Sequence, residues 1–154
     1  MGEKEIRQFI SDFHNRIRKT DPFVTQVLQA HFEVEGLIDR VLKAIAKSPE
    51  HLELKRNRSF AQRVRWIRAF GPMGDDKRWQ LLLALTNLRN NIAHKPDGPE
   101  RKGALRKLRE KLARSRLADN SILDEQEWRD YNLVFTASME SSLFLGEIWG
   151  HVGK

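Results

Sequence analysis

The residues best suited to chemistry lie in the short segment RNNIAH, residues 89–94, which follows the apolar stretch QLLLALTNL. Arg89 carries a planar, always charged set of donors that matches a phosphodiester. His94 can serve as a general acid or base. Asn90 and His94 are four residues apart, so on a helix Asn90 can hold the imidazole ring. The predicted catalytic residues are therefore Arg89 and His94, with Asn90 in a supporting role.

An arginine, an amide and a histidine without metal ligands indicate RNA cleavage through the 2′-hydroxyl group. That reaction needs a base for the attacking hydroxyl, an acid for the leaving oxygen and cations for the phosphate charge. The chain supplies this set once, and its other histidines lie on separate segments. A second copy of the same helix is the simplest source of a second proton carrier, so the chemistry predicts a two-fold homodimer with a shared cleft. No two histidines have metal-site spacing, and neither a metal nor a cofactor is predicted.

The same residues also have a purely structural interpretation. An arginine and a histidine at this spacing occur often by chance, and helix capping with surface salt bridges would explain them. The segment GPMG at 71–74 has the glycines of a phosphate-binding loop. It follows a predicted helix and lacks the Lys-Ser/Thr pair, so it is predicted to be a helix end and a turn. At the level of sequence, both interpretations of residues 89–94 stay open.

Composition sets wider limits on the class of protein. The 154 residues suit one domain, 1–154, and 40% apolar with 32% charged residues is typical of a globular chain. The longest apolar run, Leu81 to Leu85, is too short to cross a bilayer, and the first residues lack a signal-peptide pattern. The chain has no cysteine. We therefore expect a cytoplasmic protein with no membrane segment.

Most of the net charge of +7 comes from one segment. Residues 101–116 hold eight basic residues and one acid, Glu110, while Lys55 to Arg68 form a second stretch without acids. This distribution predicts a polyanionic partner, and the lack of aromatic residues in 101–116 favours phosphate contacts over base stacking. A solvated helix face is the alternative. The residues predicted to bind RNA are Lys95, Arg101, Lys102, Arg106, Lys107 and Arg109.

Apolar residues recur at helical spacing along the whole chain, and no segment has a convincing strand pattern. The fold class predicted is all-α, an up-and-down bundle of five to six helices. The predicted helices are residues 3–19, a long helix from Pro22 to the Ser48-Pro49 pair, residues 60–70 behind a Ser59 capping box, a helix capped by Asp75 or Asp76 that ends at Lys95-Pro96, the basic helix 100–116, and a helix within 121–152. The four tryptophans are predicted to lie in the core or in a dimer interface.

The segment 89–94 resembles the motif of the HEPN superfamily, in which an arginine, a polar residue, a short spacer and a histidine end a core helix. The preceding EGLI at 35–38 and SFAQRVRWIRAFG at 59–71 are also similar to small HEPN-like domains, so the resemblance spans roughly residues 20–95. It implies a dimerising all-α bundle and, in active members, a metal-independent endoribonuclease of toxin–antitoxin or antiviral systems. It further implies that Arg89 and His94 are catalytic, that Asn90 supports them, and that Glu35 is a candidate partner of Arg89.

Two departures from the family pattern keep a second function in view. Pro96 stands where a toxin branch regulated by a nucleotidyltransferase antitoxin has tyrosine, which weighs against modification by such a partner. FGPMGD at 70–75 is similar to a segment of mannitol operon repressor-like proteins, which are regulators and not nucleases. The alternative is thus a non-catalytic regulatory or nucleic-acid-binding helical protein. An antitoxin or a regulatory protein is a further expected partner.

Overall fold

The structure, a computed structural model, describes residues 3–18, 21–52, 59–95, 98–115 and 130–153. Within these residues it contains six α-helices and no strand, which confirms the predicted all-α helical bundle. None of the described helices is both long and apolar enough to span a lipid bilayer. The helices are α1 (Glu3–Arg18), α2 (Pro22–Ile45), α3 (Phe60–Phe70), α4 (Arg78–His94), α5 (Glu100–Ser115) and α6 (Asp130–Val152), with a 3₁₀ turn at Pro49–His51.

Side-chain caps start α2 and α3 where the sequence predicts. The Asp21 carboxylate accepts a hydrogen bond from the backbone N–H of Phe23 at 2.9 Å, and Pro22 occupies the first turn. The Ser59 hydroxyl accepts one from the backbone N–H of Gln62 at 3.2 Å. Each cap satisfies a backbone donor that the helix itself leaves unpaired, and each involves only near neighbours in the chain.

The helix α2 ends earlier than predicted. Ala46 adopts an extended backbone directly after Ile45, ahead of the Ser48-Pro49 pair that was expected to end the helix. A residue before proline avoids the helical region, so the pair excludes a helix at Ser48 without saying how far back the last turn lies. The basic helix predicted at 100–116 is α5, and residue 116 lies outside the described residues.

The residue directly before α4 is Lys77, which makes no side-chain cap, so neither Asp75 nor Asp76 occupies the predicted capping position. One of the two still binds the first turn. Asp76, and not Asp75, accepts a hydrogen bond from the backbone N–H of Arg78 at 2.8 Å. Asp76 also binds the Arg78 guanidinium, with 2.9 Å between Oδ2 and Nη2. Of the helix predicted within 121–152, the part from Asp130 onward is described as α6, and residues 121–129 lie outside the described residues.

The helices α2 and α4 form the centre of the bundle. The helix α2 packs against α3, α4 and α6, and α4 also packs against α5 and α6. Trp79 of α4 is fully buried and meets Phe144 of α6 edge-on, with ring centroids 4.9 Å apart. Trp66 is partly buried against the core, and Trp149 is exposed. Trp128 lies outside the described residues.

The first helix contributes little to this core. It was predicted at residues 3–19 as an amphipathic helix, and α1 has that form. No extensive contact joins α1 to another helix in the described part of the chain. Its apolar residues Ile6, Phe9 and Ile10 are exposed. Among the described residues, α1 therefore adds exposed apolar surface and contributes little to the core.

The helices α2 and α4 run antiparallel. The helices α4 and α5 are joined by only residues 95–99 and pack as a hairpin. Arg101, in the first turn of α5, binds Asp21 at the start of α2 with 3.1 Å between Nη1 and Oδ2. The first turn of α2 therefore lies at the end of α4 that carries the candidate cluster. Midway along both helices, His31 and Thr86 are hydrogen-bonded at 3.3 Å.

Candidate functional site

The predicted catalytic residues lie around the last turns of α4. Asn90 and His94 are exposed, and Arg89 is half-buried. The helix closes with a hydrogen bond of 2.9 Å from the backbone N–H of Lys95 to the carbonyl of Asn91. Among the described residues the His94 side chain makes no hydrogen bond or ion pair, so no capping contact of its ring is present. The imidazole is open to a ligand or to a second protein chain.

Asn90 supports Arg89 and not His94. Its side-chain oxygen accepts a hydrogen bond from Arg89 Nη1 at 3.1 Å. No hydrogen bond joins Asn90 to His94 within the described parts of the chain, which differs from the predicted contact. The reason is that the flexible arginine reaches its sequence neighbour along the exposed surface of the helix. Asn90 is therefore placed to orient the guanidinium.

Arg89 has no carboxylate partner among the described residues. Glu35, its candidate partner from the sequence, instead binds Arg63 of α3. That expectation was wrong because the packing of α3 across α2 brings a second arginine to Glu35. The positive charge of Arg89 is thus left for an external anion, and this half-buried position weakens its screening by water.

Arg63 forms a buried ion-pair network next to the cluster. It is only 5% exposed, yet it donates one hydrogen bond to Glu35 and another, at 2.5 Å, to Asp39. Both acids stand on α2, one turn apart. Its guanidinium carbon lies 5.9 Å from the centre of the Phe60 ring. The network ties α3 to α2, because a buried charge is tolerated only where it is paired.

His31 extends this network toward Arg89. It is 5% exposed, and its ring packs on Phe60 with centroids 5.0 Å apart. The Thr86 hydroxyl lies within hydrogen-bond distance of His31 Nε2, at 3.3 Å, and of the carbonyl of Leu82, at 3.1 Å. The tautomer of the His31 ring decides which of the two groups, the ring or the hydroxyl, is the donor between them. Its Nδ1 faces Glu35, 3.8 Å from Oε2.

The surroundings of His31 favour the neutral ring. Burial lowers the pKa of His31 below its ordinary value, Glu35 acts in the opposite direction, and the charges of Arg89 and Arg63 lower the pKa further. Arg89 follows Thr86 by three residues on α4, so it lies on the side of the helix that carries the hydroxyl bonded to His31. Through its contact with Thr86, the ring joins α2 to α4.

This network was not identified from the sequence. Its members on α2 do carry a signal: His31, Glu35 and Asp39 recur every four residues, on one side of an otherwise largely apolar helix. Titratable residues aligned in this way indicate a polar contact with another element. Which element supplies the partner, here Arg63, depends on helix packing and cannot be read from the spacing.

The protonation of His31 predicts a pH dependence of stability. Its pKa is lowered in the folded chain, so just below the ordinary histidine value of about 6.5 the unfolded chain binds more protons. The free energy of unfolding should therefore decrease as the pH is lowered from about 7.5 to about 5.5, and His31→Gln should make that decrease smaller. Urea unfolding at both values measures it. The substitution also alters packing, so the quantity compared is the difference in unfolding free energy between the two pH values within each protein. An equal difference in the wild type and in His31→Gln would contradict the prediction.

The residues predicted to bind RNA divide into two groups. Arg101 is engaged within the protein, since it binds Asp21 and stacks over Phe23 with its guanidinium carbon 4.4 Å from the ring centre. Arg109 is half-buried, and its Nε is buried without a hydrogen-bond partner in the described region. The remaining four are exposed on α5 or just before it: Lys95, Lys102, Arg106 and Lys107.

The fold and the site together define an all-α bundle in which a central helix ends with an exposed histidine and with an arginine that has no acidic partner in the described parts of the chain. No cluster of three or more metal-binding side chains occurs among the described residues. Comparison of the chain with family models, with curated proteins and with solved structures gives no match. The function is therefore argued from the residues and their placement.

Proposed function

We propose that the protein is a HEPN-type, metal-independent endoribonuclease that acts as a homodimer. The observation that carries this proposal is the end of α4, where Arg89 is held by Asn90, has no carboxylate partner among the described residues, and shares the last turns with an exposed His94. A cation for phosphate and a proton carrier are the two groups that cleavage through the 2′-hydroxyl requires.

The proposed reaction uses the residues as follows. The imidazole of His94 from one copy takes the proton of the 2′-hydroxyl, whose oxygen forms a bond to phosphorus. The bond from phosphorus to the 5′-oxygen breaks, and that oxygen receives a proton from the second copy of His94. Arg89 binds the phosphate oxygens as negative charge builds on them, and Asn90 orients Arg89. The products are a 2′,3′-cyclic phosphate and a 5′-hydroxyl.

An exposed apolar surface of α2 and α6 supports a dimer, because Leu28 and Phe32 of α2 line one groove together with Phe135 of α6. Arg89 is almost one turn beyond Thr86, and α2 runs antiparallel to α4. Residues about one turn before His31 therefore lie level with Arg89. Leu28 stands at that level, and Phe32 follows one turn later with 73% of its surface exposed. Pairing this face across a two-fold axis would bury both side chains and bring together two surfaces that lie close to the level of Arg89 along the bundle.

The dimer is tested by placing a charge on this face. Phe32→Asp should raise the dissociation constant of the dimer at least tenfold, because a large apolar contact at an interface centre typically contributes this much or more. Phe70→Asp is the matched control, since Phe70 is 75% exposed at the end of α3, away from the cluster. Sedimentation over a range of protein concentrations measures both. Dimers of unchanged stability in Phe32→Asp would contradict this interface.

The activity is tested with labelled RNA in EDTA. The wild-type protein should cleave it and leave 2′,3′-cyclic phosphate ends, since the mechanism needs no metal ion. His94→Ala serves as the control for a contaminating nuclease. Products that carry 3′-hydroxyl ends, or cleavage that persists in His94→Ala, would show that this site does not cut RNA.

A second candidate is a non-catalytic regulator that binds nucleic acid through α5. It is favoured by the exposure of Lys102, Arg106 and Lys107, none of which has an acidic partner among the described residues. Such a protein would bind RNA or DNA in a salt-sensitive way and would lose affinity when Arg106, Lys107 and Arg109 are neutralised. It would yield no RNA products at any protein concentration, which separates it from the nuclease.

A further inference from the structure

A cationic cleft lies between α4 and α5 at the end of the hairpin opposite His94. It has a volume of about 470 Å³ and is lined by Lys77, Gln80, Lys111 and Arg114. Lys77 and Lys111 have no acidic partner among the described residues. Arg114 is partly neutralised by Glu110, one turn earlier on α5, at 2.7 Å. Three cations and an amide thus line one concave surface.

The cleft continues as a polar stripe along α4. Helical spacing places Asn87, Asn91 and His94 on the same side of α4 as Gln80, with the buried Ala84 between Gln80 and Asn87. The side-chain amides of this stripe make no hydrogen bond within the described residues, so their donors and acceptors are open to a ligand. The stripe leads from the cationic cleft to the proposed proton carrier.

The facing side of α5 continues the positive charge. Lys107 stands four residues before Lys111 and seven before Arg114, so all three share one side of the helix. Because α4 and α5 are antiparallel, Lys107 lies partway between the cleft and His94. Gln80 and His94 are about 21 Å apart along α4, given a rise of 1.5 Å per residue. A strand that reached both would be several nucleotides long.

We propose that this cleft is a phosphate-binding site that holds single-stranded RNA at a distance from the cut, with Lys77, Lys111 and Arg114 bound to the backbone and the amide stripe guiding the strand to His94. The choice of RNA as the ligand rests on the proposed function. The amines and the guanidinium match phosphodiester oxygens, and the absence of aromatic side chains from the cleft lining fits contacts to the backbone and not to the bases.

The test is equilibrium binding to a labelled single-stranded RNA of about 12 nucleotides, a length within the usual range of single-strand sites. Every protein in this experiment also carries His94→Ala, so that the RNA is not cleaved during the measurement. The triple variant Lys77→Gln, Lys111→Gln and Arg114→Gln should raise the dissociation constant at least tenfold. It should also reduce the slope of log affinity against log salt by about 2, since three phosphate contacts to a single strand are lost.

A matched variant removes the same net charge elsewhere. It carries three substitutions at exposed positions in and just after the last turns of α2, outside the cleft: Arg40→Gln, Lys43→Gln and Lys47→Gln. This variant should bind RNA within about twofold of the protein without them. If the two triple variants have equal RNA affinity and equal salt slope, the proposal that the cleft binds RNA is wrong. Circular dichroism of both confirms that they fold.

The experiments test the proposed RNA-binding role of the cleft separately from the proposed nuclease activity. If the wild-type protein never cleaves RNA and the cleft variant alone loses RNA binding, the cleft stands and the proposed activity does not. If the wild-type protein cleaves RNA and the cleft variant binds it like the matched control, the activity stands and the cleft is overturned.

Discussion

Alanine at His94 or at Arg89 should lower the rate of RNA cleavage in EDTA at least a hundredfold. Loss of a positioned general acid or base typically costs this factor or more, and so does loss of a donor that stabilises charge in the transition state. His94 is exposed and Arg89 has no ion pair among the described residues, so neither substitution removes a stabilising contact of the core. Time courses with a defined RNA, scored by product ends, measure the effect.

Three controls separate loss of chemistry from loss of structure. His51→Ala removes an exposed histidine far from the cluster in sequence and should cleave like wild type. The free energy of unfolding of His94→Ala should stay within about 0.5 kcal/mol of wild type, as is usual for an exposed position. Asn90→Ala should reduce cleavage less than Arg89→Ala, because it acts on the reaction only through the arginine. A fully active His94→Ala would refute the proposed role of His94.

Methionine at Arg63 should lower the free energy of unfolding by about 3 kcal/mol. The substitution leaves Glu35 and Asp39 side by side without a cation in a partly buried setting, and a broken buried ion pair costs about 3–5 kcal/mol. The lower end applies because the two carboxylate side chains are 34% and 31% exposed, so water still screens them. Urea unfolding at neutral pH measures the loss.

Two further variants show whether the charge network is the cause. Arg65→Met changes an exposed arginine of the same helix and should alter stability by no more than about 0.5 kcal/mol. Adding Glu35→Gln and Asp39→Asn to Arg63→Met should recover much of the loss, since no unpaired charge then remains. If Arg63→Met is as stable as Arg65→Met, the network contributes nothing to the packing of α3 on α2.

The local elements followed closely from the sequence. The range of α3 was predicted without error, because Ser59 at one end and Gly71-Pro72 at the other act through neighbouring residues. The choice between Asp75 and Asp76 was not resolved, since both can reach the first turn of α4 and only the chain path selects one. The end of α2 was missed because a proline excludes helical conformation only for the residue before it.

The sequence identified the candidate residues of the site but not the contacts that they make. Arg89, Asn90 and His94 could be identified together because they belong to one turn and a half of one helix. Their contacts could not, as the pairing of Asn90 with Arg89 shows. The exposure of Lys102, Arg106 and Lys107 followed from the amphipathic pattern of α5, whereas the engagement of Arg101 by Asp21 joins residues 80 positions apart.

The sequence by itself determined the helices, the positive charge of α5 and the cluster at the end of α4, because each depends on residues within a few positions of one another. Only the tertiary structure decided which charges are paired. Arg63 reaches Glu35 across 28 residues and His31 reaches Thr86 across 55, and such contacts exist only once α2, α3 and α4 have packed. That packing gives Arg63 two acids and leaves Arg89 with none among the described residues, and this difference makes Arg89 the arginine proposed to bind phosphate.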